Sequence, residues 1–445
     1  MQKLTRSQSI FIGSMLFGML FGAGNLIFPV HMGQLAGSHL WSANWGFIAT
    51  GVFLPFMALL AIGLTGSRNL EDLASNVHPA FARIYTILLY LTIGPAFAQP
   101  RTATVSYQVG IAPFIGGESA LALGVFSFLF MLIALLFSLK PSRLMSYIGK
   151  GLNPIFLLFL ALLVGMAVLY PMASAENIAP QGDYVSHAFF TGFKEGYNTM
   201  DVLAMLAFSV VVINTMKNLG VTDKGSIAKE VVKVGIIVVV LMSVIYTLIT
   251  WLGTSSVGGF APSANGGIAL AQIAHHYFGT VGGLLLAVIV AFACLKTAIG
   301  LTTSCADTFT LMFPNSFRYE TYCCIFAGAS FLIANVGLNQ IIVLAVPVLM
   351  FLYPIAIALI LVSFVRYFLH TTDKRLYRWP VVLASICAFG DALGVVPDVL
   401  KNTGVVQGLL SLYAHLPLYS LGMSWVVPTV IALCAAAFTV KGQKA

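Results

Sequence analysis

Long apolar runs separated by short polar clusters repeat from one end of the chain to the other. Stretches such as 120–139 and 345–365 are apolar on every face. The period-2 alternation of a barrel strand is therefore missing, and helices of about 20 residues, each long enough to cross ~30 Å of hydrocarbon, are the expected element. The pattern predicts about twelve spans, at 8–37, 43–66, 79–112, 120–139, 145–171, 186–216, 227–253, 269–303, 320–336, 338–367, 378–398 and 405–440. No polar stretch is long enough to fold separately, so residues 1–445 read as one all-α, polytopic membrane domain.

Composition points to the same solvent. Of 445 residues, 59% are hydrophobic and 8% charged, and the mean hydropathy is +0.96, which excludes a water-soluble globular chain of this length. The formal charge of +8 is explained by position and calls for no nucleic-acid partner. With a cytoplasmic N-terminus, every Lys and Arg except Arg101, Lys194, Lys296 and Lys401 falls in a cytoplasmic segment, while Glu118, Glu176, Asp183 and Asp398 lie opposite. This positive-inside asymmetry puts both termini in the cytoplasm. Cys294, Cys305, Cys323, Cys324, Cys387 and Cys434 sit in or beside apolar spans without metal-ligand or disulfide spacing and read as small core residues. Lys3 and Arg6 precede an apolar stretch as in a signal peptide, but no cleavage site stands out, so that stretch is read as the first helix.

Spans one, six and eight are longer than a straight crossing needs. In span one, Phe21-Gly22-Ala23-Gly24-Asn25-Leu26-Ile27-Phe28-Pro29 sets glycines and an asparagine at mid-membrane depth, with Pro29 expected in the first turn of a new helix. In span six, Gly196-Tyr197-Asn198-Thr199-Met200-Asp201 is a second interruption. Breaks at corresponding positions of helices one and six point to a five-plus-five inverted repeat, 8–171 and 186–367, followed by two additional helices in 378–440. Unwound backbone cannot face lipid, where each unpaired group costs several kcal/mol. Freed amides suit a carboxylate and freed carbonyls a cation or ammonium, which together describe a zwitterion.

With KTAIGLTTS on helix eight, these motifs make the chain resemble the bacterial branched-chain amino acid:cation symporters over nearly its whole length. The resemblance implies a leucine-transporter-like fold in the bacterial inner (plasma) membrane. It also implies import of leucine, isoleucine and valine with a cation, normally Na⁺, and no cofactor beyond that coupling ion. It assigns the substrate's polar ends to Gly22, Ala23, Gly24, Asn25, Tyr197, Asn198, Thr199 and Asp201. It assigns Na⁺ to carbonyls of Gly18, Phe21 and Ile299 and hydroxyls of Thr302 and Thr303. Two features depart from the pattern. Val30 and His31 stand where a second proline is expected, a change that would loosen the start of the outer half-helix, and Lys296, one turn before Ile299, keeps proton coupling open as the alternative.

Blander readings compete for several of these residues. The glycines could serve close helix packing; Asp201 could be an N-cap as well as a ligand; Thr302, Thr303 and Ser304 could bond back to carbonyls four residues earlier. Lys296, Arg101 and Asp391 could snorkel or meet backbone near helix ends. Lys194 and Glu195 read as a local solvated pair or gate, and the adjacent His275 and His276 as a solvated loop. Among function classes, the chain lacks GxxxxGK[ST], so an ion gradient must drive transport. An intramembrane enzyme would need paired carboxylates, HExxH or a nucleophile with its base, none of which appears. A channel would show filter loops or pore-lining repeats.

Overall fold

The computed structural model describes residues 4–22, 24–139, 144–371 and 373–442. Ala23 of the first-helix motif lies outside the described residues, as do Lys3, Lys140, Arg143 and Lys444 of the charge pattern. The first span is two helices, α1 (Arg6–Leu20) and α2 (Gly24–Ala36), and the second is α3 (Leu40–Ile48) and α4 (Leu54–Thr65), joined by the π-helical stretch Ala49–Phe53. After the short α5 (Leu70–Ala74), the third is α6 (Pro79–Leu91) and α7 (Ala98–Gly110). Spans four and five are α8 (Ala120–Leu139) and α9 (Leu144–Leu169), and the sixth is α10 (Tyr184–Glu195) and α11 (Asp201–Asn218). Then come α12 (Lys224–Ser256), α13 (Gly266–Met312), α14 (Tyr319–Ala334), α15 (Leu338–Phe368) and α16 (Arg375–Gly394). The chain ends with α17 (Asp398–Lys401), α18 (Gly404–Tyr413) and α19 (Val426–Gly442). Among the described residues, 8 helical runs are long and apolar enough to cross a membrane, and shorter apolar helices accompany them. Large side chains such as Leu121, Val125, Phe128 and Leu136 on α8 and Ile237, Val240 and Val244 on α12 stand exposed, as a surface bathed by hydrocarbon requires.

Pairing of the spans carries the inverted repeat. Span one packs on span seven through α2 and α12, and span six on span two through α10 and α3. Exchanging each span with the one five later turns the first pair into the second. Span three packs on span eight and four on nine, pairs that map onto themselves. The glycines repeat this relation. A Cβ on Gly33 would lie 2.0 Å from the Thr250 carbonyl oxygen, and one on Gly253 2.0 Å from that of Val30. In the matching pair, Gly46 meets the carbonyl of Phe189 and Gly192 that of Ala43, again at 2.0 Å. Helix backbones this close admit no methyl, the small-residue packing that association in lipid favours.

Several local expectations are corrected. Pro29 is the sixth residue of α2 rather than part of its first turn. Lacking an N–H, it leaves the Asn25 carbonyl without its usual i+4 donor. Val30 and His31 do not loosen α2: Val30 is buried and His31 Nε2 donates to the Ser263 carbonyl at 3.1 Å. Span eight runs on to Met312 as one long helix kinked at Gly279 (φ 59°), and His275 and His276 lie exposed on its first segment rather than in a loop. The twelfth span splits: α18 is a separate short helix against α16, and only α19 makes the last long apolar stretch. Cys324 and Cys434 are exposed, unlike the other four cysteines.

Candidate functional site

Helix α1 stops because Phe21 turns extended (ψ 99°), and Gly22 follows in a bend before α2 begins at Gly24. The Gly22 N–H donates to Asn25 Oδ1 at 3.0 Å, so the asparagine side chain reaches back to fill an amide left open by the break.

The second interruption is a single 3₁₀ turn, Gly196–Thr199, closed by Met200 in the left-handed region (φ 62°). A buried methionine there costs about 1–2 kcal/mol, strain of the kind that persists where packing over-determines the backbone. Met200 therefore takes the N-cap place, and Asp201 is the first helical residue rather than the cap. Its carboxyl is spent elsewhere. Asn25 Nδ2 donates to Asp201 Oδ2 at 2.6 Å and also to the Tyr246 hydroxyl, which in turn donates to Asp201 Oδ2 at 3.2 Å. The two broken helices are thus tied to each other and to α12 by one buried triangle of polar groups. Thr199 Oγ1 donates to the Gly196 carbonyl and accepts from the Asp201 N–H, and Tyr197 stacks on Tyr353 with ring centroids 4.3 Å apart.

Helix three supplies a cation to this junction. Residues 92–96 between α6 and α7 are distorted at Gly94 (φ −92°, ψ −122°) and carry Pro95, which removes a ladder donor. The chain then restarts with its polar face inward, burying Gln99, Arg101, Thr102, Thr104 and Ser106. Arg101 does not snorkel but takes the other expected course, pairing with polar backbone. It is 5% exposed, its Nη1 donates to the Asn198 carbonyl at 2.6 Å, and its Cζ lies 5.0 Å from the Phe28 ring centroid. A Cβ on Gly24 would stand 2.9 Å from Arg101 Nη2, so that glycine makes room for the guanidinium.

On α13, Thr302 and Thr303 both bond back to carbonyls four residues earlier, Ala298 at 2.8 Å and Ile299 at 3.0 Å. They face differently. Thr302 is buried and accepts from Gln99 Nε2 at 2.7 Å, while Gln99 Oε1 is buried with no partner among the described residues. Thr303 lines a cavity of about 710 Å³ beside Arg68–Glu71, together with Gly18, Lys296, Gly300 and Asp307. At the opposite end two adjoining cavities of about 550 and 600 Å³ share Asp183, Thr191, Glu195, Asn198 and Val346. Phe28 and His31 line one, Lys194 and Asp391 the other. Among the described residues, Lys194 and Glu195 form no ion pair: Glu195 accepts from Asn198 Nδ2 at 3.2 Å, and Lys194 reaches toward Gly422. Asp391 accepts the Ser424 backbone N–H at 3.0 Å.

The structure thus joins Gly22, Gly24, Asn25, Asn198 and Asp201 in one junction, sets Gly18 and Thr303 on the first cavity, and turns Thr302 toward helix three. Sequence reasoning missed Arg101, Gln99 and Tyr246 as neighbours of the site. For the first two a signal existed, a polar face inside an otherwise apolar span. Tyr246 offered none, because a tyrosine in a span is ordinary.

Comparison with known proteins agrees with this architecture. A family model described as branched-chain amino acid transport protein matches residues 5–443. The chain belongs to that family. The branched-chain amino acid permease BrnQ of Lactobacillus delbrueckii subsp. lactis is 42% identical over 433 residues, covering 97% of this chain and 96% of that one. BrnQ of Bacillus subtilis is 40% identical over 435 residues, covering 96% of each. The family and these relatives are described as transport proteins and permeases, not enzymes. Among solved structures, the inward-facing conformation of Mhp1 superposes with a TM-score of 0.62 at 13% identity over 100% of this chain and 95% of that one. MhsT in complex with L-phenylalanine gives 0.61 at 15%, over 98% and 99%. At such identities these neighbours speak for the fold alone.

Proposed function

We propose that this protein imports leucine, isoleucine and valine across the bacterial plasma membrane by Na⁺ symport, with alternating access around the junction of the two broken helices and both termini in the cytoplasm. The observation that carries the reading is the Asn25–Asp201 hydrogen bond across two interrupted helices, between a cavity at one end of the bundle and paired cavities at the other. Such a junction offers amides at the start of α2 for a carboxylate and carbonyls plus Asp201 for an ammonium. The permease names of relatives at about 40% identity support the substrate class. For the ion, Gly18 near the end of α1 and Thr303 border one cavity, and Gln99 Oε1, buried with no partner among the described residues, lies beside Thr302. Oxygens of this kind suit a hard monovalent cation.

Proton coupling is the second reading, favoured by one observation: Lys296 lines the same cavity as Thr303 and Asp307. Labelled leucine uptake into proteoliposomes distinguishes the two. Under Na⁺ symport, an inward Na⁺ gradient drives accumulation, and Thr302→Ala and Thr303→Ala lower it by about tenfold or more, the loss of one charge-assisted contact. Equal uptake under a pH gradient without Na⁺ would transfer the coupling role to Lys296. Absence of any branched-chain amino acid uptake would remove the substrate assignment.

A further inference from the structure

We propose that Arg101 is the receptor for the substrate's carboxylate, and that in the substrate-free protein its guanidinium holds the Asn198 carbonyl that the substrate's ammonium takes over. The inference rests on the junction being an amino-acid site and adds a residue from helix three to it.

A guanidinium at this depth is expensive unless it is paired or has a task. Arg101 is 5% exposed, and among the described residues no ion pair within 4.0 Å involves it. The nearby carboxyl of Asp201 is already held by Asn25 and Tyr246. Of the five N–H donors of the fork, Nη1 is bonded to the Asn198 carbonyl, a group of the unwound stretch rather than of a regular helix. Phe28 holds the plane from one side, and the missing side chain of Gly24 lets Nη2 approach the first residue of α2.

That approach is electrostatically unfavourable as it stands, because a cation faces the positive end of a helix dipole. An anion inserted between them would satisfy both. A carboxylate is flat and takes two parallel N–H bonds from an arginine, which a lysine cannot imitate. As the guanidinium swings to the carboxylate, it releases the Asn198 oxygen, a neutral acceptor suited to an ammonium next to Asp201. The empty site is thereby kept closed by a tethered cation of this chain, and a zwitterion of the right length displaces it.

Competition between leucine and leucinol, which keeps the ammonium and side chain but lacks the carboxylate, tests this in the full-length purified protein by ligand-induced thermal stabilisation. Wild type should prefer leucine by about 30-fold, the worth of a charge-assisted pair. In Arg101→Gln the preference should collapse toward unity, through weaker leucine binding and leucinol binding that is no weaker than in wild type, because nothing then competes for the Asn198 carbonyl. Should that variant fail to fold, Gly24→Ala, whose methyl displaces Nη2 without removing the charge, should compress the preference in the same sense, and Arg101→Lys should recover only part of it. A folded Arg101→Gln or Gly24→Ala protein that keeps the wild-type preference would overturn the assignment, as would a wild type that binds both ligands equally. A wild type that leucine fails to stabilise would instead overturn the substrate reading beneath it.

Discussion

Asn25 does three things with one amide: its oxygen receives the Gly22 N–H, and its nitrogen serves Asp201 and Tyr246. A carboxylate at the same place would face Asp201 across the present 2.6 Å contact, where two like charges cannot both ionise. Asn25→Asp should therefore reduce leucine uptake at least as far as Asn25→Ala, measured as initial rates at equal amounts of monodisperse protein. Tyr246→Phe removes one of two donors to Asp201 and should cost about 1 kcal/mol, roughly fivefold in apparent affinity. An Asn25→Asp protein transporting at the wild-type rate would show that the triangle has no part in the cycle. At this scale the motif residues could be read from the sequence because glycine and asparagine are unusual at mid-membrane depth. Arg101 was visible as an intramembrane charge, yet its destination was not, since that depends on the distortion at Gly94 and Pro95 that re-aims α7.

Elements meet at glycines. In the α2–α12 and α3–α10 pairs the partner carbonyl stands 2.0 Å from where a methyl would be. Gly33→Ala and Gly46→Ala must separate the helices, and overpacking of this kind costs about 1–3 kcal/mol. Gly328 in α14 has open space around its missing Cβ, so Gly328→Ala should raise stability by up to about 1 kcal/mol through helix propensity alone. Thermal unfolding in detergent checks the contrast, and equal shifts for all three variants would contradict it. Break positions were readable at this scale, but their form was not. Pro29 lies within α2, and the second break is only one 3₁₀ turn with Met200 taking the strained place a glycine would have announced. The division of the twelfth span into α18 and α19 was hidden for the opposite reason, because both pieces are apolar.

Whole-molecule behaviour follows from cavities at both ends of one junction. Once exposed Cys324 and Cys434 are replaced by serine, a cysteine at Thr303 should react with a polar thiol reagent from the side of Arg68, and one at Thr191 from the other side. Leucine with Na⁺ should change the two reactivities in opposite directions, as rocking about a central site demands. Reactivities that rise and fall together would exclude alternating access. Orientation has its own check: green fluorescent protein fused at the C-terminus should fluoresce, as it does in the cytoplasm, while a fusion after Lys401 should stay dark.

The sequence by itself determined the solvent, the helical class and the two breaks in spans one and six. Those depend on local quantities: the length of apolar runs, and backbone freedom at glycine beside the donor lost at proline. Only the tertiary structure decided which polar groups meet. Asn25 and Asp201 are 176 residues apart and Arg101 and Asn198 are separated by 97, yet each pair is within hydrogen-bonding distance. That proximity is imposed by packing of the two related halves, where the alternative to mutual satisfaction is an unpaired polar group in hydrocarbon.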